Sequence, residues 1–88
     1  MERFEFVEGE TKEGFYLIID EVRIGEITFR WRKEDSISIN HTLVEPKFRG
    51  LGYGKKLVDK VLQFAEENHL SVSASCWFAD KVIQSQLQ

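Results

Sequence analysis

Polar and apolar residues alternate with period two through the first half of the chain. Phe4 and Phe6 alternate with Arg3 and Glu5, which predicts a half-buried strand. The run Glu8 to Gly14 is polar and reads as a turn. Phe15 to Asp20 is rich in aromatic and β-branched residues and predicts a second strand. The short link Asp20-Glu21 suggests a hairpin into a third strand. There Ile24, Ile27, Phe29 and Trp31 recur opposite Thr28, Arg30 and Arg32, and Gly25 breaks the alternation where a bulge is expected. After the polar turn Lys33-Glu34-Asp35, Ser36 to Val44 alternates cleanly. Ile37, Ile39, His41 and Leu43 fall on one face, and Ser38, Asn40 and Thr42 on the other, so His41 is expected on the buried side.

The period then changes. Pro46 lacks a backbone donor and ends the strand. From Tyr53 to Asn68, Leu57, Val61 and Phe64 recur at i, i+4 and i+7, with Val58, Leu62 and Ala65 in the adjoining column. That is a wide apolar stripe on a helix, with Lys55, Lys56, Asp59, Lys60, Glu66 and Glu67 on the other side. Leu70 to Trp77 alternates again, with Val72, Ala74 and Cys76 on one face. Ala79, Val82, Ile83 and Leu87 fall at helical spacing and predict a short amphipathic tail. These elements predict an α+β fold: a mainly antiparallel sheet, a strand–glycine turn–helix–strand unit and a short C-terminal helix. The 88 residues suit one domain, 1–88, with no linker and no repeat.

Composition narrows the class. With 42% hydrophobic and 31% charged residues the chain can build a core, which excludes wholesale disorder. One cysteine excludes an intramolecular disulfide and a multi-cysteine zinc site, and the two histidines, His41 and His69, lie far apart, so no metal site is expected. No apolar run approaches the ~20 residues of a membrane span, and the N-terminus is too acidic for a signal peptide. A cytoplasmic location and no membrane partner are expected. Residues 1–44 carry 10 acidic against 6 basic side chains, but Lys47, Arg49, Lys55, Lys56 and Lys60 fall close together against only Asp59. A local positive zone in a chain of net charge −3 and pI near 5.4 suits a small anionic ligand better than a nucleic acid.

The strongest signal lies at the strand–helix junction. Gly50, Gly52 and Gly54 let the backbone bend with positive φ and approach a ligand closely. The helix that follows opens with unpaired N–H groups and partial positive charge, a site for phosphate to which Lys55 and Lys56 add charge. A Walker A loop fails, because Lys56 follows Gly54-Lys55 and Arg49 stands where glycine is required. The dinucleotide pattern fails on spacing, G-x-G-x-G. What fits is R-x-x-G-x-G, read as Arg49, Gly52 and Gly54, which resembles the pyrophosphate-binding motif of the GNAT superfamily of N-acetyltransferases. His41-Thr42, Val44, the run Arg49 to Gly54 and Cys76 followed by an aromatic pair are similar to its very small GNAT-like members. The resemblance implies acetyl-CoA as cosubstrate. Arg49, Gly50, Leu51, Gly52, Tyr53, Gly54 and Lys55 would hold its pyrophosphate, and the Val44 backbone would pair with the pantetheine amides.

The resemblance also implies that Cys76 sits beside the thioester. A thiolate there can accept an acetyl group and pass it to an amine, given a nearby base or helix N-terminus. A lone cysteine on an apolar strand face is otherwise a small buried hydrophobe. His41 would be the base if the two strands are neighbours; Asn40, facing the other way, would hold an acceptor, and Glu45 is an alternative base. Many GNAT enzymes carry a tyrosine acid after the last core strand, whereas Trp77 and Phe78 stand here and the only tyrosines are Tyr16 and Tyr53. The leading reading is an acetyl-CoA-dependent N-acetyltransferase acting on an amine, such as one of a protein or peptide; the alternative is a non-catalytic acyl-CoA sensor or interaction module. The missing tyrosine favours the second. No motif names the acceptor.

Overall fold

A computed structural model describes residues 1–10 and 12–86. Thr11 of the first polar turn and Leu87 of the C-terminal tail lie outside the described residues. Five strands form one sheet in the order β1-β2-β3-β4-β5: β1 Glu2–Glu8, β2 Glu13–Ile19, β3 Val22–Lys33, β4 Ser36–Val44 and β5 Ser71–Ala74. The first four are antiparallel neighbours, and β5 runs parallel to β4. A parallel pair needs a crossover. It is made by a 3₁₀ turn, Pro46–Phe48, and helix α1, Tyr53–Glu67; helix α2, Trp77–Gln86, closes the chain.

The helical stripe is used as its spacing predicts. Leu57, Val58, Val61 and Ala65 of α1 are buried against Leu17, Ile24, Ile27, Phe29, Ile37 and Ile39 of the sheet, and Ala79 of α2 joins the same core. At the C-terminal end of α1, Phe64 packs among Phe6, Phe15 and Phe29, with ring centroids 5.6 to 5.8 Å apart. On the outer side Lys56 bonds Glu2 of β1 at 2.9 Å, and Lys60 lies over the rings of Phe4 and Phe15. The Glu2 carboxylate raises the Lys56 pKa above its ordinary value. That contribution is therefore in place at neutral pH and is lost as pH rises through the ionisation of the lysine itself.

Three strand features decide where the functional residues point. In β3, Leu17 pairs Gly25 and Ile18 pairs Arg23, so the bulge expected at Gly25 falls beside it, at Ile24. In β4, Phe29 pairs Ile39 while Thr28 pairs His41, so Asn40 is an extra residue. The bulge reverses the alternation. Ile37 and Ile39 face the core, but beyond Asn40 it is Thr42, paired with buried Ile27, that faces the helices. His41 and Leu43 turn to the opposite face and are exposed, correcting the expectation that they continue the buried face. β5 is also shorter than its sequence pattern suggests: the strand stops at Ala74, and Trp77 is the first residue of α2.

The β2–β3 hairpin turns through Asp20 and Glu21, with φ of 50° and 68°. Both lie in the left-handed region that two-residue hairpins require and that a Cβ disfavours. Glu21→Gly should raise stability by about 1 kcal/mol, the sum of relieved strain and lost unfolded-state restriction, read as a rise of about 4–8 °C in melting temperature. A melting temperature that fell would contradict this turn geometry.

Candidate active site

The pairing of β4 with β5 covers only four residues, ending at Ile39 opposite Ala74. The Ile39 carbonyl closes the ladder by accepting both the Ser75 N–H, at 2.9 Å, and the Cys76 N–H, at 3.2 Å. Beyond that point β5 gives way to α2, and among the described residues no strand pairs with β4 on that side from Asn40 to Val44. The Glu45 N–H donates to the Ile24 carbonyl in β3. Backbone groups of successive strand residues point to opposite edges, so those of Val44 face the fork. Its carbonyl is already taken by Arg49 Nε at 3.0 Å, which leaves the N–H as the open group.

A groove of about 540 Å³ runs from this fork to the start of α1. Thr42, Leu43 and Val44 form one wall, Phe48 to Lys55 the end, and Phe78 and Val82 of α2 the other wall. Gly50 and Gly52 have φ of 81° and 87°, so the glycines perform the turn that the sequence assigns them. Open space lies over both, where a Cβ would meet nothing within 4 Å. Gly54 is needed for a different reason: a Cβ there would lie 2.8 Å from Cζ of Phe78, so α2 packs directly on the first turn of α1.

The electrostatics of the groove end come from backbone. Gly52 caps α1 without a side-chain hydrogen bond, and its first turn holds no acidic residue. The first N–H groups of the helix and its positive end therefore face the groove without a competing anion. Of the basic zone read from the sequence, Arg49 and Lys55 line the groove. Lys55 is shared with Asp59 at 3.0 Å, while Lys56 and Lys60 turn away to β1. The positive zone is thus split, and Lys56 does not add charge to the anion site as expected.

Cys76 is not on a strand face. It directly precedes α2, its carbonyl accepts the Asp80 N–H at 3.0 Å, and its thiol lies at the positive end of that ten-residue helix. Its Sγ is 3.8 Å from Thr42 Oγ1, at the fork end of the groove. His41 and Cys76 are not brought together: the Asn40 bulge turns His41 to the other side of the sheet and presents Thr42 in its place. Asn40 lies on the His41 side, where its Oδ1 accepts the Thr28 hydroxyl at 2.5 Å. Glu45 is exposed beyond the end of β4. Tyr53 lines the groove but packs edge-on against Phe48, and Tyr16 lies under Arg23 on β2. Sequence reasoning gave Thr42 no role, and alternation had placed it on the polar face.

A family profile described as GCN5-related N-acetyl-transferase matches residues 14–88. The chain belongs to this family. A GCN5-like Staphylococcus aureus protein assigned as an N-acetyltransferase is 40% identical, with a TM-score of 0.69 over 93% of this chain and 79% of that one. A Bacillus subtilis acetyltransferase solved with CoA gives 0.78 at 14% identity, over 97% and 74%. A Bacillus anthracis protein assigned as a streptothricin acetyltransferase, solved with acetyl coenzyme A, gives 0.59 at 25% identity, over 67% and 34%. No curated protein sequence matches the chain. The GCN5-related fold accounts for the mostly antiparallel sheet and two helices seen here. Among the described residues no helix is long and apolar enough to cross a membrane.

The Gly54–Phe78 contact makes this family site sensitive to one methyl group. Gly54→Ala should destabilise by about 1–3 kcal/mol through overpacking. Combined with Phe78→Leu, most of that increment should vanish, so a urea-denaturation double-mutant cycle should give a clear coupling energy. Additive effects would show that the two helices do not meet as described.

Proposed function

We propose that the protein transfers an acetyl group from acetyl-CoA to an amine, with Cys76 as the intermediate carrier. The observation that carries this reading is the groove itself. It joins an uncapped helix N-terminus under open space to a thiol at a second helix N-terminus, over a length of unpaired strand edge. A linear ligand with a pyrophosphate at one end and a thioester at the other suits that order of groups.

Acetyl-CoA bound there supplies an activated thioester. The N–H groups of Gly52, Tyr53, Gly54 and Lys55 and the side chains of Arg49 and Lys55 bind the pyrophosphate, with Gly50 and Leu51 forming the bend. The Val44 N–H holds a pantetheine carbonyl. Cys76, as thiolate, attacks the acetyl carbon; its S–C bond forms and the CoA thiolate leaves. The amine nitrogen then forms the C–N bond while the Cys76 S–C bond breaks and the thiolate is restored. The amine arrives protonated, so one proton must leave before attack and a second after it. His41, exposed on the helix-free face, serves the first step at the acceptor rather than at the thiol. Thr42 Oγ1 keeps the thiol oriented.

A binding-only reading is favoured by one observation: the first two residues of α2 are Trp77 and Phe78, and neither supplies a hydroxyl to protonate a departing thiolate. Intact mass after incubation with acetyl-CoA separates the two. The transfer reading expects gain of one acetyl group on wild type, none on Cys76→Ala, and discharge by an added amine. Cys76→Ala should bind CoA with unchanged affinity. His41→Ala should still load Cys76 but discharge it about 10²-fold more slowly at neutral pH, the scale of general base catalysis. Tight binding with no adduct and no turnover would establish the sensor.

A further inference from the structure

Among the described residues no helix covers the second face of the sheet. α1 and α2 share one core with the inward residues of β2 to β4. The opposite face carries Thr28, Arg30, Ser38 and His41, with Arg30 paired to Ser38 and Thr28 to His41 across the ladder. A second groove, about 450 Å³, lies there, lined by Arg30, Trp31, Arg32, Ser38 and Ser75. It ends at the fork. Ser75 donates its N–H to the Ile39 carbonyl, the same oxygen that the Cys76 N–H reaches.

Three of the five arginines have partners: Arg3 pairs with Glu5 and Glu21, Arg23 lies over Tyr16, and Arg49 bonds the Val44 carbonyl. Among the described residues Arg30 and Arg32 have none. Glu13, which pairs with Phe29 across the ladder, is held by Trp31 Nε1 at 2.9 Å, and Glu26 by Lys12 at 3.2 Å. In a chain of net charge −3, two exposed guanidinium groups without bonded carboxylates line one groove with Ser75, the residue before the candidate thiol. Next to them stands a built donor. Thr28, 8% exposed, donates to Oδ1 of exposed Asn40, which leaves the amide nitrogen of Asn40 as its remaining donor.

We infer that this face is the acceptor site and that the acceptor is an acidic peptide segment. The inference rests on the acetyl-transfer reading above. Arg30 and Arg32 bind acidic side chains bidentately, and Asn40 Nδ2 binds a backbone carbonyl. The amine reaches the acetyl group through the fork. The nitrogen forms the bond to the acetyl carbon, the Cys76 S–C bond breaks, one amine proton passes to solvent through His41 before attack, the second leaves to solvent after it, and the Cys76 thiolate is restored. Small-molecule sites enclose their ligand, whereas this face is open along β3 and β4 and suits an extended chain. Arg30 lies two residues from Thr28, about 7 Å along the strand. That spacing puts the acidic residue one or two positions from the residue bearing the amine.

Two labelled hexapeptides test this, identical except for glutamate or glutamine at the second and third positions. Fluorescence anisotropy at low salt should show the glutamate peptide binding about tenfold tighter, the scale of two exposed ion pairs. Arg30→Ala/Arg32→Ala should abolish the preference at an unchanged melting temperature. Arg30→Lys/Arg32→Lys should keep part of it, and Lys81→Ala, on α2, all of it. With acetyl-CoA, the glutamate peptide should gain one acetyl group faster than its partner. Equal binding of the two peptides, or a preference that survives loss of both arginines, overturns the inference. So does a glutamate peptide that binds but stays unmodified while Cys76 is acetylated. CoA binding is titrated separately on the same samples, so a failed donor site appears there and not in the peptide arm.

Discussion

Beyond Ile39, strand β4 has a partner on one side only. The Ile39 carbonyl takes two N–H groups, from Ser75 and Cys76, the two residues that carry the chain from the end of the ladder at Ala74 into α2. On β4, the extra residue Asn40 sits immediately beyond the same carbonyl. A bulge and a strand end at the same level open the sheet as a fork. Unpaired strand groups are costly when buried away from water. Here they face a groove, where a ligand amide or water can satisfy them. The wall opposite is α2, and its distance from α1 is set by the Gly54–Phe78 contact. Bulge, strand end and helix contact together set the width of the cleft.

The charge distribution follows the same geometry. Most of the lysines that crowd the sequence between positions 47 and 60 brace the fold rather than the ligand. Lys56 ties α1 to Glu2, Lys60 covers two phenylalanine rings, and Lys55 is shared with Asp59. Surface ion pairs of this kind are individually weak. Their effect on the site is mainly by removal, leaving Arg49, part of Lys55 and the backbone N–H groups of the α1 terminus to meet an anion. A site built on backbone dipoles is fixed in direction by the helix. Flexible lysine side chains would have to be ordered each time a ligand bound, at an entropic cost.

Element identity was legible wherever one period dominates. The period-two run from Ser36 to Val44 is a strand with those bounds, and the helix predicted from Tyr53 ends within a residue of its observed end. The glycine turn was legible because positive φ leaves a compositional mark. The bulge at Asn40 left none. Alternation continues in the sequence through Asn40 and His41, and only the register against β3 shows that the faces exchange there. Cys76 was misplaced for a related reason. Val72, Ala74 and Cys76 keep period two, but the hydrogen bonds that end β5 come from β4 and are not encoded locally. Both misreadings fall at the fork, where tertiary pairing overrides local pattern. The residues they concern, His41, Thr42 and Cys76, are the ones on which the proposed transfer depends.

That exchange of faces has a chemical consequence. In the proposed transfer, a single sheet surface carrying His41, Thr42 and Cys76 together would put base, thiol and acyl group on the side already filled by the donor groove, with no approach left for an amine. The bulge divides them. Thr42 and Cys76 stay with the helices, while Asn40 and His41 face outward with Thr28 and Arg30. In the proposed transfer, donor and acceptor then meet at the fork from opposite sides of one sheet. In a chain of 88 residues, whose fraction of buried surface is limited by size, one extra strand residue is a small structural change for separating two substrates.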